Sequence, residues 1–197
     1  MTLTEDRSAA AVARQAMIVS QLRTSGVNEP WVLEAMAGVA REDFVPAGMR
    51  DAAYIDRAIT LDNGRQLAAP VVHGKMLAEA EPTKTDKALL VGDANGYLAA
   101  LLRPLVGSLE VVDPAAAKDV AKGDYTLLVI DGAVEELPET LTAALAEGGR
   151  AVTGLVVRGV PRLATGIKAA GTLALLPLAE IGIPVLPEFA APKRWSF

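Results

Sequence analysis

The chain contains no cysteine and a single histidine, His73. The first absence removes disulfides, thiolate nucleophiles and sulfur-bound metals together. The second leaves a zinc site or a Ser-His-Asp triad resting on one imidazole, so no metal and no such triad is assigned. Aromatic residues make up 4% of the chain, too few for platforms that stack single-stranded nucleic acid. Positive charge is also scarce. The net charge is −5 and no Lys/Arg run exceeds Lys193-Arg194, so the basic face that neutralises phosphates is missing. The longest greasy stretch, Thr172 to Leu186, is interrupted by Pro177, Glu180 and Pro184 and is not a bilayer span. Glu5, Asp6 and Arg7 occupy the place of an apolar signal core. These features predict a cytoplasmic protein without nucleic-acid or membrane partners.

What is present is apolar bulk in alternating order. The hydrophobic fraction is 51% of 197 residues, much of it alanine, which suits one compact domain. Residues 1–82 read as an N-terminal helical and hairpin region, and residues 83–197 as a Rossmann-like region. In the first, 8–25 has the apolar period of an amphipathic helix stopped by Gly26. Asn28 is expected to cap a short helix with Pro30 in its first turn. Arg41 to Pro46 reads as an exposed connection anchored by Phe44, with Arg41-Glu42-Asp43 a solvated face. Arg57–Leu61 and Arg65–Ala68 are strand candidates around the turn Asp62-Asn63-Gly64, and Pro70 opens a helix to about Glu81.

In the second region strands are expected at Lys87–Val91, Leu109–Val112, Tyr125–Ile130 and Ala151–Val157, separated by helices. One more helix over Pro161–Ala170 and a strand over Leu173–Leu178 complete the pattern. Continuous apolar strands alternating with helices imply a mostly parallel sheet covered on both faces.

Between the first strand and its helix lies Gly92-Asp93-Ala94-Asn95-Gly96-Tyr97. A strand, a glycine-rich turn and a helix form the nucleotide side of doubly wound folds. The dinucleotide fingerprint fails, because Ala94 and Tyr97 stand where its second and third glycines belong. Gly92, Ala94 and Gly96 follow the Gly-x-Gly-x-Gly spacing of methyltransferase turns more closely. Asp113 ends the second strand, where a carboxylate can take ribose hydroxyls. Two glycines can equally serve the turn alone, and Asp113 can equally be a cap.

Four N-terminal segments carry a more specific signal: Gln21 to Val27, Val32 to Met36, Arg41 to Pro46 and Ala53 to Asp56. In order and spacing they resemble the protein-L-isoaspartate O-methyltransferase family. The likeness continues through Gly64–Pro70, Gly92–Ala100, Asp113, Tyr125–Leu141 and Gly148 to Arg150. It implies an α/β, Rossmann-like class I methyltransferase fold with an N-terminal helical and hairpin addition. It also implies methyl transfer from S-adenosylmethionine to isoaspartyl carboxylates of aged proteins or peptides. The donor would rest on Gly92, Ala94, Gly96, Asp113 and Asp131. The catalytic side would fall at Ala68, Asp56 and His73. Each has a plainer reading: Asp56 pairs with Arg57, His73 is a surface or hydrogen-bonded core residue, and Asp131 is a turn residue.

The departures from the family pattern point to a shortened, degenerate member. Where the family reads Thr-Ile-Ser-Gln-Pro, this chain reads Gln66-Leu67-Ala68-Ala69-Pro70, without the hydroxyl or the amide. Leu90 replaces the carboxylate before the glycine turn, and Ala94 replaces its middle glycine. Only residues 114–123 separate Asp113 from Asp124, too few for a further crossover strand. The sheet should therefore be shortened, with the Asp113 strand at its edge. Two functions stay open: a residual methyltransferase using Gly92, Gly96 and Asp113, and a non-catalytic scaffold or interaction module. Trp195 and Phe197 read as packing anchors or as a homodimer contact.

Overall fold

The structure is a computed structural model that describes residues 3–191. Trp195 and Phe197, and the dimer reading placed on them, lie outside the described residues. In chain order the elements are α1 (Leu3–Met17), α2 (Pro30–Gly38), β1 (Ile59–Thr60), β2 (Gln66–Leu67), α3 (Pro70–Ala80), β3 (Lys87–Val91), α4 (Tyr97–Leu102), β4 (Ser108–Val112), β5 (Tyr125–Val134), α5 (Glu139–Ala144), β6 (Leu145–Val157), β7 (Val160–Ala169), β8 (Thr172–Leu173) and β9 (Leu176–Glu180). The first helix continues past Met17 through a π-turn, Ile18–Leu22, and a 3-10 turn to Ser25. At α2 the capping position is Glu29, not Asn28, and no side chain caps the helix end; Pro30 occupies the first turn as expected.

Seven strands form one sheet in the order β4-β3-β5-β6-β7-β8, with β9 also paired to β7. The pairs β3–β4, β3–β5 and β5–β6 are parallel. Among the described residues no strand lies outside β4, as the short 114–123 connection predicts; that connection holds one 3-10 turn, Pro114–Asp119. The central strands are buried on both faces. Leu90, Leu127 and Val129 join the core shared with α2, α3 and α4, while Leu89, Leu128 and Ile130 pack toward α5. Removing each such side chain from water is worth about 1.5–3 kcal/mol, which is why runs of Val, Ile and Leu form inner parallel strands.

The far half of the sheet corrects the expectation. Pro161–Ala170 is not a helix: up to Ala169 it lies within β7, antiparallel to β6. Arg158 and Gly159 both have positive φ, 53° and 81°, so they make the two-residue turn that folds β7 back beside β6, with Val157 opposite Val160. Pro161 lies one residue beyond the last β9 pair, Arg162 with Glu180, at a place where a missing N–H breaks no bond to β9. The sheet is therefore mixed, parallel over β4 to β6 and antiparallel beyond. Among the described residues no helix is long and apolar enough to cross a membrane.

Candidate active-site cleft

A cleft of about 610 Å³ opens at the carboxyl ends of β3 and β5, where ligands bind in open α/β sheets. Its walls come from four parts of the chain: Phe44 to Pro46, the β1–β2 hairpin, the turn after β3 with Tyr97, and the segment Pro184–Glu188. The last of these is pinned along the end of β5. The amide of Ala133 donates to the Pro184 carbonyl (2.8 Å), and that of Leu186 donates to the Ala133 carbonyl (2.9 Å).

Beneath the cleft lies a chain of charged groups. Arg41, expected on a solvated face, is 0% exposed. Its Nε donates to the Ala53 carbonyl (2.8 Å), a terminal nitrogen donates to the Ala68 carbonyl, and the other faces His73 Nδ1 at 3.3 Å. The guanidinium also sits 4.9 Å from the Tyr97 ring centre. A forked, planar cation with several fixed acceptors can be buried where a lysine could not. Burial pulls Arg41 down to about 10, with Tyr97 and Asp131 acting against that fall, so it stays charged at neutral pH. Because a guanidinium can only donate, His73 Nδ1 must accept. The ring hydrogen is then on Nε2, which donates to Asp131 Oδ1 at 3.0 Å. A neutral imidazole thus links a buried cation to a carboxylate at the cleft floor. Glu42 is also held, by Arg14 (3.1 Å) and by the Tyr54 hydroxyl. Burial and that bond to Glu42 push Tyr54 up to about 12.

At the mouth, Arg65 at the end of the hairpin turn meets two carboxylates. One terminal nitrogen donates to Asp113 Oδ1 and Oδ2 at 2.9 and 3.1 Å, and it lies 3.1 Å from Glu188 Oε1. Asp113 also accepts from the amide of Ala115 (2.9 Å), so it is a helix cap as well as an ion-pair partner.

The sequence candidates separate accordingly. Gly92, Gly96 and Asp131 line the cleft; Ala94 and Asp113 do not. A Cβ on Gly92 would lie 3.2 Å from the Asp131 Cβ, and one on Gly96 would lie 3.0 Å from the Asp93 Cβ, so close internal neighbours already favour glycine at both positions. The turn is closed by Asp93, which accepts from the amides of Asn95 and Gly96. Ala68 and Ala69 are buried and outside the lining. His73 is a hydrogen-bonded core residue, one of its plainer readings. Asp56 is exposed and away from the cleft. Sequence reasoning missed Arg41, Asp43, Arg65, Tyr97 and Glu188 as site residues. Arg41 and Asp43 lie in the motif Arg41 to Pro46, Arg65 in the stretch Gly64–Pro70 and Tyr97 in the stretch Gly92–Ala100, whereas Glu188 carried no signal.

Residues 13–122 match the family model described as protein-L-isoaspartate(D-aspartate) O-methyltransferase (PCMT). The chain belongs to this family. Protein-L-isoaspartate O-methyltransferase 1 of Rhodopseudomonas palustris is 30% identical over 176 residues, covering 76% of this chain and 72% of the relative. The Koribacter versatilis family protein is 32% identical over 178 residues, covering 77% and 80%. Among solved structures, the fold is similar to that of a Plasmodium falciparum PCMT protein crystallised with S-adenosyl-L-homocysteine. Its TM-score is 0.73 at 17% identity, over 89% of this chain and 98% of that one. A second structure, a protein-L-isoaspartate O-methyltransferase, gives 0.68 at 18% identity, over 88% and 65%. The PCMT family is one of S-adenosylmethionine-dependent methyltransferases, and the mixed α/β sheet is the fold these structures share.

Proposed function

We propose that this chain is a shortened PCMT-family member that has lost most or all methyl transfer to isoaspartyl carboxylates and serves as a non-catalytic scaffold or interaction module. The charge of the cleft carries this reading. Asp43, Asp62, Asp93, Asp131 and Glu188 line it, and among the described residues Arg65 is the only cation in the lining, already engaged by Asp113 and Glu188. An isoaspartyl substrate brings another carboxylate, and like charges in a partly enclosed cleft repel. The family's serine position is Ala68, buried and without a donor group.

The residues also fit the donor poorly. Leu90 is sealed in the core where the family has a carboxylate, and Asp113 is engaged by Arg65. The 3-10 turn after β4 leaves no strand and loop to wall an adenine ring. No catalytic step through the donor follows from this arrangement.

The test is transfer of a labelled methyl group to an isoaspartyl peptide, beside calorimetric titration of S-adenosylmethionine. The expected result is no turnover above background and no donor binding at micromolar concentration. Low-micromolar binding with turnover of about 1 per second or faster would overturn the reading. Ala68→Ser with Ala69→Gln is expected to leave the protein inactive, because both positions are buried off the cleft. Methylation restored by that pair would show a working donor site and a merely substituted enzyme.

A further inference from the structure

The Arg65 contact has a geometry that the family reading does not supply. Three segments far apart in the chain meet at one guanidinium nitrogen: the hairpin at Arg65, the end of β4 at Asp113 and the C-terminal turn at Glu188. Arg65 and Glu188 line the cleft, and Asp113 meets Arg65 at its mouth. In doubly wound folds a carboxylate near this place takes the hydroxyls of a ribose, acting as an acceptor for two donors. Here one nitrogen of Arg65 reaches both Asp113 oxygens. A charged donor on an ionised acceptor is a stronger partner than a neutral hydroxyl.

We propose that Arg65 is an internal competitor for the nucleoside subsite. It holds Asp113 with its own guanidinium and so sets the cleft against ligands that carry a ribose diol. The inference rests on the impaired-donor reading above and adds the residue responsible. Releasing Asp113 also releases Glu188, so the same contact ties the hairpin to the Pro184–Glu188 segment across the cleft mouth. The contact is solvent-exposed, with side-chain exposures of 30% for Arg65 and 58% for Asp113. Such pairs are weak individually and screened by salt, so the block is graded rather than absolute.

The experiment titrates S-adenosylhomocysteine, and separately adenosine, into the full chain and its variants by calorimetry. Adenosine lacks the amino-acid charges, so it reports the nucleoside subsite alone. Thermal unfolding confirms that each variant is folded. Arg65→Ala is expected to bind both probes about three-fold more tightly than the unmodified protein, the most that an exposed ion pair of this kind can withhold. That gain should vanish in Arg65→Ala with Asp113→Asn, which removes the freed carboxylate charge. The unmodified protein supplies an arm that does not depend on any variant: its adenosine affinity should rise with salt toward that of Arg65→Ala.

Arg65→Ala binding no tighter than the unmodified chain overturns the proposal, as does a gain that survives Asp113→Asn. So does the absence of detectable binding by every form at every salt concentration, or an unmodified chain whose affinity ignores salt. The two readings fail separately. Tight donor binding with turnover by the unmodified chain defeats the proposed function, yet the competitor stands if Arg65→Ala is tighter still through Asp113. No binding by any form defeats the competitor and leaves the scaffold reading in place.

Discussion

Arg41→Met is expected to lower the unfolding free energy by about 3–5 kcal/mol, the scale for removing one partner of a buried charged network. In a chain of this size that is a fall of roughly 10 °C in the unfolding midpoint. The substitution keeps apolar volume but leaves the Ala53 and Ala68 carbonyls and His73 Nδ1 without their donor. It also leaves Asp131 without the buried cation that His73 links to it. Unsatisfied buried acceptors lose their water and gain nothing in return. Arg41→Lys should not rescue, because an ammonium on a flexible stem cannot meet three acceptors set in a plane. Denaturant and thermal unfolding of both variants measure the effect. A loss below about 1 kcal/mol for Arg41→Met would mean that desolvating the cation cancels what its bonds return.

The second large effect lies at the opposite end of the sheet. Asp86 is buried and accepts two bonds from Arg150 (2.6 and 3.0 Å), one from the Thr126 hydroxyl and two from Thr83. Arg150 in turn donates to the carbonyls of Ala80 and Glu81, closing the end of α3. Desolvation pushes the Asp86 carboxyl up, but the bonds from Arg150, Thr126 and Thr83 outweigh it and hold the group well below the usual carboxylate range. A carboxyl with a lowered folded-state pKa stabilises the fold above its unfolded value, about 3.9, and loses that contribution as pH falls below it. Asp86→Asn should therefore cost about 2–4 kcal/mol at pH 7, the scale for charge-assisted bonds at a buried site. The gap between the two proteins should narrow by about 1 kcal/mol per pH unit below about pH 4. A gap that stays constant from pH 7 to pH 2 would rule out the proposed titration of Asp86.

Much of the architecture was legible because it depends on short-range patterning. The Lys87–Val91 strand follows from its continuous apolar run, the α3 start from Pro70, and the hairpin from Asp62-Asn63-Gly64. The edge position of β4 follows from chain length alone, since residues 114–123 cannot make another crossover. Pro161–Ala170 was misread because its apolar residues suit both a helix and a strand, and the Arg158-Gly159 turn that decides between them has a weak signature. In the cleft, the glycine turn and Asp131 were legible from their place at strand ends. Arg41 was not, since a charged residue in a Arg-Glu-Asp run reads as solvated until its partners are known.

The sequence by itself determined the family, the sheet's parallel half and the alanine at position 68. These are properties of residue identity, local period and spacing. Only the tertiary structure decided that Arg41 is buried, that His73 bridges it to Asp131, and that Arg65 holds Asp113 and Glu188. The physical reason is the same in each case. A charged side chain's environment is set by partners brought together by folding, here 32 residues away for Arg41 with His73 and 48 for Arg65 with Asp113. No local pattern in the chain encodes those encounters, yet they decide which charges face the cleft and which are spent holding it together.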